Sequence, residues 1–367
     1  MALLFLVLAV ALLFEFINGF HDTANSVASV VGSRVLTPTQ AITLAACTIL
    51  LGALAGTAVA TTMGKGLVDT HYVTSTTLVC ALTGGIVWNL ITWRLGLPSS
   101  SSHALVGGLV GAAVASAGGH WNAVIWSTPV AGQPWYKWGG IIFKVIIPMF
   151  SSPTLGFLLG FLWMSVLNTV LAHLTPSRIN SVFRPLQVLS AGFLGFSNGS
   201  NDAQKTMGII ALALFTANQA GTLDHLPRWL QFLHTPEFKI AFWVKLICAG
   251  TMASGTATGG RRIIKTLGRK MARLQPVNGF AADTTAASIL LVAARLGMPV
   301  STTHAVSTSI MGVGTARRFT AMRWSLVESI VWTWFMTLPA TGLIAYGMMR
   351  FLQSLGAAES AVQTLAR

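Results

Sequence analysis

Residues 18–26 read NGFHDTANS and residues 198–206 read NGSNDAQKT, so that Asp22 aligns with Asp202. Further along, GTA at 56–58 matches GTA at 255–257. RLGLPSSSSHA at 94–104 matches RLGMPVSTTHA at 295–305, which pairs Ser100, Ser101, Ser102 and His103 with Ser301, Thr302, Thr303 and His304. Three matches in the same order mark an internal duplication. They divide the chain into a first repeat (1–118), a connecting stretch (119–184), a second repeat (185–316) and a closing stretch (317–367).

The surrounding composition names the solvent. Of 367 residues, 53% are hydrophobic and only 9% charged, with a mean hydropathy of +0.68. A soluble domain carries about a quarter charged residues, so this chain has too few to coat a water-soluble globule. A spanning helix needs about 20 apolar residues, which leaves room for about ten to twelve membrane segments. The expected fold class is therefore all-α integral membrane, and the 36 glycines suit close helix packing. The net charge of +14 sits in short loops, where it sets topology rather than binding nucleic acid. Cys47, Cys80 and Cys248 lie in apolar runs without a CxxC, so neither a disulfide framework nor a zinc site is expected. Residues 1–17 lack a basic leader region and contain Glu15, and they read as a first helix rather than a cleaved signal.

Apolar stretches 1–17 with 25–36, and 185–197 with 205–217, are each too short to span alone, and each pair is split by a polar cluster, Asn18 to Thr23 and Ser197 to Lys205. This pattern predicts two discontinuous helices. Residues 140–172 are overlong and carry Pro148 and Pro153, which predicts a kink or tilt. The loop 260–276 holds Arg261, Arg262, Lys265, Arg269, Lys270 and Arg273 with no acid, whereas its counterpart 64–71 sets Lys65 against Asp69. Equivalent loops of such different charge belong on opposite sides, so the two repeats are expected in inverted topology, whether 72–117 and 277–316 form full hairpins or re-entrant ones. Counting crossings outward from 260–276 puts 173–184 and 317–323 in the cytoplasm and both termini outside.

Nine acidic residues remain in the whole chain. Asp22 and Asp202 stand at equivalent positions inside apolar segments, where a carboxylate costs a few kcal/mol at least and marks a pathway or a buried partner. Helix capping alone does not account for Asn18, Asn25, Asn198 and Asn201 around them. The SSSSH and VSTTH tips follow Leu-Pro and Met-Pro, so their hydroxyls fall at the start of the next helix, where free N–H groups and the positive dipole end favour an anion. Interhelical hydrogen bonding is the alternative use of such residues. His103 and His304 either pack within the bundle or contact substrate, and His21 either relays protons or packs. Arg94 and Arg295 attract an anion or snorkel. Glu15 and Glu328 read as partners within the bundle or at a subunit contact. Lys205 occupies the place of Asn25, and a buried ammonium there requires an anion, either Asp202 one turn away or the substrate.

At these motifs the chain resembles the inorganic phosphate transporter (Pit) family, in its bacterial low-affinity proton-coupled branch. NGFHDTANS, NGSNDAQKT, GLPSSSSHA and GMPVSTTHA carry the resemblance, over about 18–118 and 192–316. It implies a secondary active transporter of the inner (plasma) membrane, built of two inverted repeats with re-entrant hairpins, that imports phosphate, alone or as a metal–phosphate complex, by cation symport. Protons are favoured over sodium, the assembly is a homodimer, and no cofactor or resident metal is required. The resemblance puts Asp22, Asn25, Ser100, Ser101, Ser102, Asp202, Ser301, Thr302 and Thr303 around the phosphate, and the motif residues themselves add Lys205. Asn18, His21, Asp22, Asn198 and Asp202 are the candidates for the coupling cation. The second motif departs from the first with Gln204 and Lys205 where Ala24 and Asn25 stand. A sulfate permease of the same family is one alternative, and an anion channel is another. An intramembrane hydrolase built on Ser102 and His103 is disfavoured, because adjacent helical residues point about 100° apart.

The charge contrast carries its own test. Single cysteines placed in 64–71 and in 260–276, in a variant without the native three, are expected to react with an impermeant thiol reagent from opposite faces of the membrane. Labelling of both from one face would overturn the inversion.

Overall fold

A computed structural model describes residues 1–224, 226–259, 275–316 and 324–356. Most of the basic loop 260–276, and the loop 317–323, lie outside the described residues. The architecture is helical throughout: α1 (Ala2–Gly32), α2 (Pro38–Ala53), α3 (Ala58–Lys65), α4 (Ser75–Leu95), α5 (Ser101–Ser116), α6 (Ile147–Val170), α7 (Pro176–Gln219), α8 (Phe242–Thr258), α9 (Pro276–Arg295), α10 (Thr302–Thr315) and α11 (Trp324–Ser354). Among the described residues α1, α4, residues 142–170 and α9 are long and apolar enough to cross a membrane singly, and α2 with α3 forms a further crossing bent by 71°. The second hairpin arms, α5 and α10, have 16 and 14 residues. They reach only about 24 and 21 Å at 1.5 Å per residue, short of the roughly 30 Å hydrocarbon core.

The helices expected to break at the polar motifs do not break. α1 stays helical through Asn18–Thr23, and α7 runs unbroken for 44 residues through Ser197–Lys205. An intact helix satisfies its own backbone in lipid, and the motif's small polar side chains fold back on it: Thr23 donates to the Gly19 carbonyl at 2.7 Å and Ser200 to that of Ser197 at 2.9 Å. The discontinuities lie elsewhere, at the α2–α3 bend, which contains Gly56 and Thr57 of the first GTA, and at the two hairpin tips. Residues 142–146 widen into a π-turn ahead of Pro148, the local accommodation for a residue with no N–H to donate.

The tips repeat one another in backbone detail. Gly96 and Gly297 both adopt a left-handed φ, +70° and +66°, which only glycine takes without strain. Leu97 N–H then bonds to Thr92 C=O, and Met298 N–H to Ala293 C=O, each at 2.9 Å. After the prolines, Ser100 and Ser301 cap the next helices by accepting from the His103 and His304 amides at 3.1 and 3.2 Å.

Packing exchanges elements between the halves. α2 lies on α7 while α8 lies on α1, and α6 covers α10 while α11 covers α5. The first exchange depends on Gly19 and Gly199, equivalent in the repeats. A Cβ on Gly19 would meet the Met252 carbonyl oxygen at 2.2 Å, and one on Gly199 the Ile49 carbonyl oxygen at 2.2 Å. Backbones this close gain dispersion that lipid cannot replace. Gly19→Leu and Gly199→Leu are each expected to cost at least about 1–3 kcal/mol by overpacking, read as a fall in thermal unfolding temperature of the detergent-solubilised protein, whereas Gly250→Leu, with open space around it, leaves that temperature unchanged.

Candidate functional site

Both motif helices turn their polar faces toward both tips, and the side chains named for phosphate and the coupling cation are each no more than 3% exposed, whereas Arg94, Arg295 and Glu328 are exposed. Asp22 accepts from Ser101 at 2.8 Å and from Asn25 at 3.1 Å. Asn25 also donates across the halves to Thr303 at 2.9 Å. Its counterpart Lys205 does the same in mirror fashion: the ammonium donates to Asp202, to Ser102 of the first tip and, at 3.0 Å, to the Val300 carbonyl. Ser102 and Thr303 are themselves equivalent, and each then donates to the opposite tip's backbone, Ser102 to Val300 C=O at 3.1 Å and Thr303 to Ser99 C=O at 2.8 Å. Thr302, the counterpart of Ser101, faces the Asp202 carboxylate. The site is a pseudo-symmetric knot in which each half's motif holds the other half's tip.

The remaining candidates surround this knot. His21 lies 3.1 Å from Asp22 through Nδ1, and its Nε2 is 3.5 Å from the Thr92 and Ser99 hydroxyls. Asn198 donates to Ser26 at 2.6 Å, and the side-chain oxygens of Asn18 and Asn198 lack a partner among the described residues. His103 and His304 lie edge to face, 4.8 Å between ring centres, with Trp334 stacked 4.1 Å from His304. His103 Nδ1 and both ring nitrogens of His304 are buried without a hydrogen-bond partner among the described residues.

Several participants escaped the sequence reading. The Ser99 and Val300 carbonyls, at equivalent positions, close the tips together by accepting from Thr303 and Ser102. Glu15 accepts from Thr206, which links α1 to α7 beside the knot. Gln204 spans the α2–α3 bend: its oxygen accepts from Val59 N–H at 2.9 Å, and its nitrogen donates to Ala55 C=O at 3.1 Å. That contact satisfies backbone groups the bend leaves free and accounts for Gln204 where the first motif has Ala24. Glu15, unlike the others, reads in the sequence as a partner within the bundle, and Thr206 is that partner; seven residues before Asp22, it lies on the same helical face.

Chemically, the knot offers hydroxyl, amide and ammonium donors beside two carboxylates. Such a set suits a tetrahedral oxyanion that still carries protons, because the carboxylates accept from those protons while the donors serve its bare oxygens. The phosphate transporter family matches residues 18–345. The chain belongs to that family. A Rhizobium meliloti (strain 1021) protein named "Probable low-affinity inorganic phosphate transporter" is 42% identical over 92% of this chain and 93% of its own length. A Bacillus subtilis (strain 168) protein of the same name is 40% identical over 95% of this chain and 97% of its own. Among solved structures, one described as "The sodium-dependent phosphate transporter" superposes with a TM-score of 0.79 at 22% identity, covering 97% of this chain and all of that one. As a member of this family the chain is a membrane transporter and not an enzyme.

Removing one partner of a buried ion pair leaves the other uncompensated, at a cost of about 3–5 kcal/mol. Lys205→Met is therefore expected to lower the unfolding temperature sharply, and Lys205→Met with Asp202→Asn to recover most of the loss. A double variant as unstable as the single one would remove Asp202 as the ammonium's principal partner.

Proposed function

We propose that this protein imports inorganic phosphate across the cytoplasmic (inner) membrane by proton symport, alternating access around the knot between α1, α7 and the two tips. The second repeat runs inverted to the first, and the protein works as a homodimer. The crossed pairs Asn25–Thr303 and Lys205–Ser102 carry this reading. Donors that now bridge the halves are the ones that would transfer to phosphate oxygens when a tip moves aside, and each half supplies one.

The charges argue for a coupled cation. Asp22 and Asp202 against Lys205 leave one net negative charge when all three are ionised. Phosphate at neutral pH adds one or two more, which a low-dielectric core does not tolerate without cations. Lys205 already fills the place beside Asp202 that a sodium ion would take, which leaves protons on His21, Asp22 or the phosphate itself. An ionised aspartate accepts a hydrogen bond from protonated phosphate and repels sulfate, which carries no proton at neutral pH.

Labelled-phosphate uptake into proteoliposomes tests all of this. Accumulation is expected to follow an imposed proton gradient and to ignore sodium, with sulfate competing poorly. Lys205→Asn is expected to weaken phosphate affinity. Uptake that needs sodium and ignores the proton gradient would refute proton coupling, and competition by sulfate at similar affinity would favour a sulfate permease.

A further inference from the structure

A second polar cluster lies away from the knot, between α1, α7 and α9. Asp283 is 1% exposed, and Ser190 donates to its Oδ2 at 3.4 Å. The Ser29 hydroxyl, 2% exposed, faces the same carboxylate and has no other partner among the described residues. Next to it Gln187, fully buried, accepts from Ser33 at 2.8 Å, while its own side-chain nitrogen is unpartnered among the described residues and lies against Gly279, one turn before Asp283.

The fold does not require this polarity, and the duplication demonstrates it. In the repeat alignment, Asp283 corresponds to Leu82, Ser190 to Val10, Gln187 to Val7, Ser29 to Ile209 and Ser33 to Ala213. The same interface is built from apolar side chains in the other half, where Leu82, Val7, Ile209 and Ala213 are buried. Nor is the cluster isolated from the transport site. Asp22, Ser26, Ser29 and Ser33 succeed one another at three- and four-residue spacing along α1, and so share one face. Along α7 the run is Gln187, Ser190, Ser197, Asn198 and Asp202, joined to α1 by the Asn198–Ser26 bond of 2.6 Å. A polar seam thus leaves the knot toward α9, covering about 18 Å from Asp202 to Ser190 at 1.5 Å per residue. It ends on a carboxylate.

A buried carboxylate at membrane depth needs a cation. The elements packed on α9 offer Glu15, His21 and Asp22 on α1, Lys65 on α3, Arg178, Arg184, Asp202 and Lys205 on α7, and His304 on α10, and α9 itself has Arg295; α6 has no charged residue. Among the described residues, none of these makes an ion pair with Asp283. Hydroxyl neighbours and no fixed positive charge suit a carboxyl group that takes up and gives back a proton.

We infer that Asp283 is a proton-binding site of the transport cycle, connected to the knot by the Ser26–Ser29–Ser190 seam and releasing its proton on the side where α9 begins. In the topology proposed above, that side is the cytoplasm. The transfer is simple in balance: an O–H bond forms on an Asp283 oxygen as the proton arrives through the seam, and breaks when the proton passes to water inside. This inference rests on the proton-symport reading.

The test compares wild type with Asp283→Asn in proteoliposomes by two readouts, exchange of labelled phosphate at equal pH and accumulation driven by a gradient of about one pH unit. One coupled proton supports about tenfold accumulation across that gradient. Asp283→Asn is expected to exchange within about twofold of wild type and to accumulate little or nothing above equilibration. If wild type accumulates and Asp283→Asn accumulates equally, the inference fails while the proton-symport reading stands. If wild type itself ignores the gradient, that reading fails first. A sodium-driven accumulation lost in Asp283→Asn would make the site a metal-cation site and overturn the proton assignment. Should Asp283→Asn fold poorly, the infrared carbonyl band of a protonated carboxyl in folded wild type decides: it is expected to titrate with pH and to shift in Asp283→Glu, and a spectrum unchanged by Asp283→Glu would overturn the inference.

Discussion

A lysine ammonium inside a bilayer has three N–H donors and no water to serve them, and each needs an acceptor supplied by protein. Lys205 finds one on its own helix, the Asp202 carboxylate, one on the first hairpin tip, the Ser102 hydroxyl, and one on the second tip, the Val300 carbonyl. Three acceptors on three elements fix where both tips stop. The hairpins then have to turn at the knot, and the left-handed Gly96 and Gly297 with the capping Ser100 and Ser301 make those turns. Helix contacts beyond the knot follow. The tips can meet only if α1 and α7 lie alongside each other, and α8 and α2 then press on them through Gly19 and Gly199.

On the proposed alternating-access reading, the knot is symmetric where it would interchange and asymmetric where it would couple. Asn25–Thr303 repeats Lys205–Ser102, and Thr303–Ser99 repeats Ser102–Val300, so opening toward either side breaks the same kinds of bond. The departures from symmetry are chemical: lysine against asparagine, His21 against Asn201, Asp283 against Leu82. A duplicated frame supplies two similar gates, whereas only substitutions made after the duplication can distinguish the sides or assign the cation to one of them.

Much of this was legible from residues alone. The low charge content and the three ordered matches gave membrane helices in two related halves, and carboxylates beside hydroxyl tips gave the site's chemistry. Lys205 could be paired with Asp202 because one helical turn separates them and a lone buried cation is untenable. The integrity of α1 and α7 was not legible. Short apolar runs split by polar residues look the same whether the backbone unwinds or the side chains merely face a polar core, and hydropathy cannot tell the two apart. Gln204 was read only as a departure, because its partners are backbone groups at a bend 145 residues away. The seam to Asp283 was hidden for a related reason: its members are ordinary serines and a glutamine until α1, α7 and α9 are brought together.

The energetic consequence concerns the empty transporter. Separating the tips gives up Lys205–Ser102 and Lys205–Val300, bonds from a charged donor worth about 1.5–3 kcal/mol each, together with the neutral bonds of Asn25 and Thr303. Water entering an opened half replaces part of this, and a phosphate oxygen replaces it better, because it is anionic and accepts from the same ammonium. In the proposed mechanism the occupied state is therefore the one in which the tips would part at least cost, provided the added negative charge is met by a proton. Without that proton the carboxylates of Asp22 and Asp202 repel the substrate that the ammonium attracts. In that mechanism coupling of anion and cation would follow from electrostatics at Asp22, Asp202 and Lys205, before any mechanical link between the gates is invoked.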